Sequence, residues 1–230
     1  MLPDSAVVRA VMDDLLPALA DTFHVIAMDY PGFGNSDMPD PASYPYTFDT
    51  AADVVESFLK QKGFTRFGLF VQDYGGPVGF RILARNPDWL EWLIIQNTNA
   101  YEVGFTAAWD GFRNALWKQR TPVTEESLMA FLEFDAIKSI YLHGHKQPEL
   151  ISPDNWNMDF RFMERPKARQ VQMDLFYDYR TNVALYPHPR RRRCLPEGVA
   201  EGRDASARFG SLRGGGLPRL HRDACPPLLP

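Results

Sequence analysis

Between Phe64 and Gln96 the chain passes from a β-rich apolar run, Phe64–Val71 (FTRFGLFV), through Gln72-Asp73-Tyr74 into Gly75–Asn86 (GGPVGFRILARN), and on into a second run, Leu90–Gln96 (LEWLIIQ). No other feature narrows the possible folds so far. The middle segment carries apolar residues at helical spacing, with Pro77 in its first turn and Pro87 just past its end, where helices tolerate proline. A helix with such short joints can link two strands of one sheet only by a right-handed crossover, so the spacing predicts parallel neighbours. Upstream, Thr22–Met28 (TFHVIAM) reads as a further strand, followed by the turn-rich stretch Asp29-Tyr30-Pro31-Gly32-Phe33-Gly34-Asn35-Ser36-Asp37. Phe48–Lys62 reads as an amphipathic helix, with Asp49 or Thr50 as its N-cap and Gly63 as its stop. The expectation is an α/β protein with a three-strand parallel remnant.

From Asn99 to about Arg180 the rhythm changes. Ala107–Gln119, Thr124–Ile140 and Lys167–Tyr177 are predicted helices, and the stretch is dense in aromatics, Trp109, Phe112, Trp117, Trp156 and Phe176 among them. An insertion of this kind predicts a helical cap roofing a pocket; the same aromatics also suit a small helical core of their own.

The composition breaks after Pro187. Residues 1–187 hold 16 Lys and Arg against 25 Asp and Glu, whereas residues 188–230 hold nine Arg and four acids. Of the chain's aromatics only Phe209 falls in the second part, which lacks the large apolar residues needed to offset its ordering entropy. Three domains are therefore expected: 1–98 as a partial core, 99–187 as the cap, and 188–230 as an Arg/Gly/Pro-rich tail. Arg190-Arg191-Arg192-Arg193 admits a nucleic-acid or anionic-surface arm, and a disordered terminus is the plainer reading. Arg, Gly, Pro and Ala supply 25 of the 43 tail residues, which best fits an out-of-frame reading of GC-rich DNA.

The whole-chain charge of −4 argues against general attraction to nucleic acid. Both cysteines, Cys194 and Cys225, lie in the tail, and neither belongs to a disulfide framework or a metal-ligand spacing. No apolar run approaches the ~18 residues of a membrane span. With Asp4, Asp13 and Asp14 near its start, the N-terminus lacks a secretory n-region. These features predict a soluble cytoplasmic protein that takes a small-molecule substrate, with no cofactor, metal, nucleic-acid or membrane partner.

Chemistry is expected at Val71-Gln72-Asp73-Tyr74-Gly75-Gly76-Pro77-Val78-Gly79. A sharp strand-to-helix turn lifts the Asp73 side chain clear of the sheet, and glycines let the next helix pack close. The N–H groups at the helix start favour an ionised, exposed carboxylate, as a nucleophile requires. An aspartate before a helix could equally be a mere N-cap.

This elbow, with the Asp29–Asp37 turn before it, resembles the α/β-hydrolase fold in its aspartate-nucleophile branch, which includes haloalkane dehalogenases and soluble epoxide hydrolases. The likeness runs from about Asp14 to Pro187 and includes Asp174–Pro187 at the end of the cap. It implies that Asp73 attacks carbon to form an alkyl-enzyme ester, that the Tyr74 backbone N–H donates to an oxyanion or leaving group, and that a histidine then activates water. It also implies cap-side proton donors for an opening epoxide, for which Tyr101, Tyr141, Tyr177 and Tyr179 are the candidates. Tyr74 stands where the branch usually has Trp, so no indole N–H is offered to a halide; epoxide or ester hydrolysis is thereby preferred over dehalogenation. The chain is shorter than the family pattern at its start and diverges after Pro187. His24, His143, His145 and His221 lack a catalytic context, so no base is assigned and impaired activity is expected. A non-catalytic small-molecule-binding or interaction protein is the alternative.

Overall fold

The computed structural model describes residues 15–186. The expected tail at 188–230 lies outside the described residues, as does His221. Helix α1 (Phe48–Lys62) buries Phe48, Ala52 and Glu56 at four-residue spacing. Its N-cap is Thr47, not Asp49 or Thr50: extended at φ −130°, Thr47 offers its hydroxyl oxygen to the Thr50 N–H at 3.0 Å. Asp49 falls in the first turn instead, where it meets a cation from the neighbouring helix. Gly63 closes the C-terminus, its N–H donating to Leu59 and Lys60.

The strand–helix–strand unit forms as expected. β1 (Phe67–Gln72) and β2 (Leu90–Gln96) are parallel, in register from Gly68 opposite Trp92 to Gln72 opposite Gln96. Between them run α2 (Gly75–Arg85) and a 3₁₀ turn, Pro87–Trp89. Thr22–Met28 is not a strand, so the sheet has two strands among the described residues rather than three. Phe23 packs edge-on to Trp92 of β2 and His24 edge-on to Phe64 just before β1, but no backbone ladder of the kind that makes a strand forms. Apolar surface is left bare as a result: Phe23, Ile26, Trp92, Ile94 and Ile95 are all exposed.

The segment after β2 is helical but more broken than its periodicity predicts. Ala107–Gln119 resolves into a 3₁₀ turn, Ala107–Trp109, and a π turn, Phe112–Leu116, whose wider winding buries both Phe112 and Leu116. Thr124–Ile140 splits into α3 (Pro122–Met129), a 3₁₀ turn at Ala130–Leu132, and α4 (Phe134–Leu142). The break falls at Glu133, extended at ψ 157° and paired with Arg169. Then come α5 (Asp154–Met163), absent from the sequence reading, α6 (Ala168–Asp178) and α7 (Arg180–Leu185).

These helices are stapled back to the front of the chain. Arg165 donates to the Gly34 and Ser36 carbonyls at 2.7 and 3.0 Å. The Asp178 carboxylate accepts the Phe48 N–H at 2.9 Å, capping α1 from 130 residues away. Asp178→Ala is therefore expected to cost about 1–2 kcal/mol, the range of a lost helix cap, measured by urea unfolding; an unchanged midpoint would show that the cap contributes nothing.

Candidate active site

Asp73 joins β1 to α2 with φ +43°, a left-handed conformation that a non-glycine residue enters only when its surroundings impose it. Three hydrogen bonds impose it here. The Asp73 N–H donates to the Asn97 carbonyl at 3.3 Å, the Gly76 N–H donates to the Asp73 carbonyl at 3.1 Å, and the Thr98 hydroxyl donates to that same carbonyl at 2.6 Å. Asn97, at the end of β2, is itself left-handed, with φ +46°. Both parallel strands thus end in a strained turn, and each turn braces the other.

The close packing expected of the glycines is present. A Cβ on Gly76 would lie 2.0 Å from Thr98 Oγ1, and one on Gly79 would lie 2.9 Å from Val71 Cγ1. Any larger residue at either position would drive α2 off the strand ends.

The Asp73 carboxyl is less exposed than the sequence suggests. It is half-buried, and its Oδ1 is shielded from solvent with no hydrogen-bond partner. Burial pushes its pKa up to about 7, against the lowering effect of the Tyr74 N–H beside it. A role as a simple N-cap is not supported either: α2 has Tyr74 at its cap position and no side-chain capping bond.

The Tyr74 ring, 1% exposed, packs edge-on to Phe48 at 4.9 Å and against Tyr179 at 5.9 Å. Of the four candidate proton donors, Tyr179 packs its ring against Tyr74, and burial, with a smaller addition from the Asp73 charge, raises its hydroxyl's pKa. Tyr101 is 37% exposed, Tyr141 donates to Asp159, and the Tyr177 ring is covered by the Arg180 guanidinium at 3.5 Å. Tyr186, not singled out in the sequence, faces Tyr179 with its hydroxyl buried and outside normal hydrogen-bond geometry. Tyr179 and Tyr186 flank α7 at its two ends, seven residues apart and so on one face, a spacing that could have marked them as a pair. Trp109, Trp117 and Phe105 surround Tyr179 at ring distances of 4.7, 6.2 and 6.1 Å.

Beside Tyr74 lies a cavity of about 20 Å³, room for a single water, lined by Phe33, Tyr44, Phe48, Tyr74 and Leu175 but not by Asp73. Of the described histidines, His24 packs edge-on to Phe64, His143 donates its backbone N–H to the Ser139 carbonyl at the end of α4, and His145 Nδ1 accepts the Gln147 N–H. Among the described residues no group of three or more His, Cys, Asp or Glu is placed to hold a metal, and no helix is long and apolar enough to cross a membrane.

The model of the α/β hydrolase fold family matches residues 2–187 and ends where the composition breaks. An uncharacterized hydrolase of Saccharomyces cerevisiae is 34% identical over 177 residues, covering 76% of this chain and 60% of its own length. A haloalkane dehalogenase of Psychrobacter cryohalolentis is 37% identical over 106 residues, covering 46% of this chain and 34% of its own. Among solved structures, the epoxide hydrolase CorEH superimposes with a TM-score of 0.60 at 20% identity, over 79% of this chain and 65% of that one. The chain thus spans less than two thirds of each of these proteins.

Proposed function

The chain belongs to the α/β-hydrolase fold family, and from that premise we propose that it is a hydrolase by descent whose nucleophile is Asp73. The observation that carries this reading is a carboxylate oxygen without a partner, on a left-handed residue between strand and helix. In the proposed reaction an Asp73 oxygen attacks an electrophilic carbon, a C–O bond forms, and the bond to the leaving group breaks. The product is an alkyl ester of the protein. The Tyr74 N–H, beside the carboxyl, favours its ionised, attacking form; as the new bond forms, the charge passes from the carboxylate to the leaving group. For an epoxide, the departing alkoxide takes its proton from Tyr179, with Tyr186 behind it. Tyr74 supplies no indole N–H to grip a halide, so epoxides or esters are preferred to haloalkanes. The aromatic surroundings of Tyr179 suit a small, largely apolar substrate.

Hydrolysis of the ester needs a base, and none of the described histidines is assigned that role. The ester is therefore expected to accumulate. Incubation with epoxyhexane is expected to add one label per chain by intact mass, with little diol released and none of the label in Asp73→Asn. Sustained diol release that is lost in Asp73→Asn would contradict the impairment. The alternative, a non-catalytic binding protein, predicts no label at all.

A further inference from the structure

Arg81 is 6% exposed, yet its ion-pair partner Asp49 has a side chain 62% exposed. A buried guanidinium is costly unless its donors are filled, and here they are filled across three helices. Nε donates to Asp49 of α1 at 2.8 Å, and Nη1 donates to the Pro77 carbonyl within α2 at 3.1 Å. Nη1 also reaches Asn182 Oδ1 at 2.6 Å, and Nη2 reaches the Thr181 hydroxyl at 3.0 Å. Both of these lie in the first turn of α7, the helix flanked by Tyr179 and Tyr186. Arg81 itself lies on α2, the helix that starts at the elbow. One side chain therefore ties the helix behind the nucleophile to the helix that carries both phenols.

We propose that Arg81 is a positioning residue: through Thr181 and Asn182 it holds α7, and with it Tyr179, whose ring packs 5.9 Å from that of Tyr74, the residue next to Asp73. The inference rests on the reading of Asp73 as nucleophile and deepens it. Lysine could not substitute, because a single ammonium lacks the planar fork that serves Asn182 and Thr181 at once. The charged and titratable groups that face Arg81 are Asp49, Asp178 and Tyr186. Burial pushes the Tyr186 hydroxyl's pKa up, and the Arg81 charge works against that rise.

The test compares two reagents that differ in their need for that proton. Opening epoxyhexane leaves an alkoxide, whereas iodohexane releases iodide, which needs none. In Arg81→Met, labelling of Asp73 by epoxyhexane is expected to slow about tenfold or more, within the range of a lost acid catalyst. Labelling by iodohexane should change less than about threefold, and Arg81→Lys should resemble Arg81→Met. Equal losses for both reagents, or no loss for either, would overturn the proposal. Should Arg81→Met fail to fold, Thr181→Val removes one of the two α7 bonds and should lower the epoxide-to-iodide ratio in the same direction; an unchanged ratio there counts against the proposal. Where neither reagent labels the wild-type chain, the reading of Asp73 fails. Amide exchange in α7 then decides: faster exchange in Arg81→Met supports the positioning role, and unchanged exchange overturns it.

Discussion

Asp73→Asn is expected to be more stable than the wild-type chain above neutral pH, with an advantage that shrinks as the pH falls towards 4. The sign follows from the carboxyl's two environments. Its ordinary pKa of 3.8 rises to about 7 in the folded chain, chiefly through burial. Between those values the unfolded chain has released a proton that the folded chain still holds, so each unit of rising pH costs the wild type about 1.4 kcal/mol. The loss levels off above about pH 7, at up to about 4 kcal/mol. Asparagine carries no charge to bury and enters the left-handed region at least as readily. Urea unfolding of both proteins at pH 5, 6, 7 and 8 checks this (about 1.4 kcal/mol per unit up to pH 7). A difference independent of pH would mean that the carboxyl is not held in a dry site.

Gly76→Ala is expected to cost about 3 kcal/mol, the upper end for overpacking. The new Cβ would meet Thr98 Oγ1 at 2.0 Å and Cγ2 at 2.7 Å, far inside van der Waals contact. Nor can α2 retreat cheaply, because Gly79 seats it against Val71 and Leu69 one turn on. Adding Thr98→Ala removes both of those atoms, leaving a Cβ contact at 2.9 Å. Against that relief stands the loss of the Thr98 bond to the Asp73 carbonyl. The double variant should still recover more than half of the stability lost in Gly76→Ala. Additive destabilisation would place the strain somewhere other than this contact.

What could be read from the chain beforehand was whatever neighbouring residues decide among themselves. Phe48–Lys62 and Leu90–Gln96 have the bounds their periodicity predicts, and the elbow at Asp73 follows from a strand, a helix and glycines in immediate succession. The failures lie where a distant partner decides. Thr22–Met28 has the composition of a strand but no ladder to join. The break at Glu133 depends on Arg169, 36 residues away. Among four candidate tyrosines, local sequence could not show that Tyr179 packs on Tyr74, a contact between residues more than 100 positions apart. The environment of Asp73 belongs to the same class. The helix terminus argued for a lowered pKa, and burial raises it instead.

The account stands or falls on Asp73 as the attacking atom's owner. Peptide mapping of the epoxyhexane-treated chain at pH 8 reads this most directly, because trypsin releases the elbow as one peptide from Phe67 to Arg81. The expected result is a single hydroxyalkyl ester within that peptide, on Asp73 and removable by hydroxylamine. A label on Cys194, Cys225 or a histidine with Asp73 untouched would contradict it.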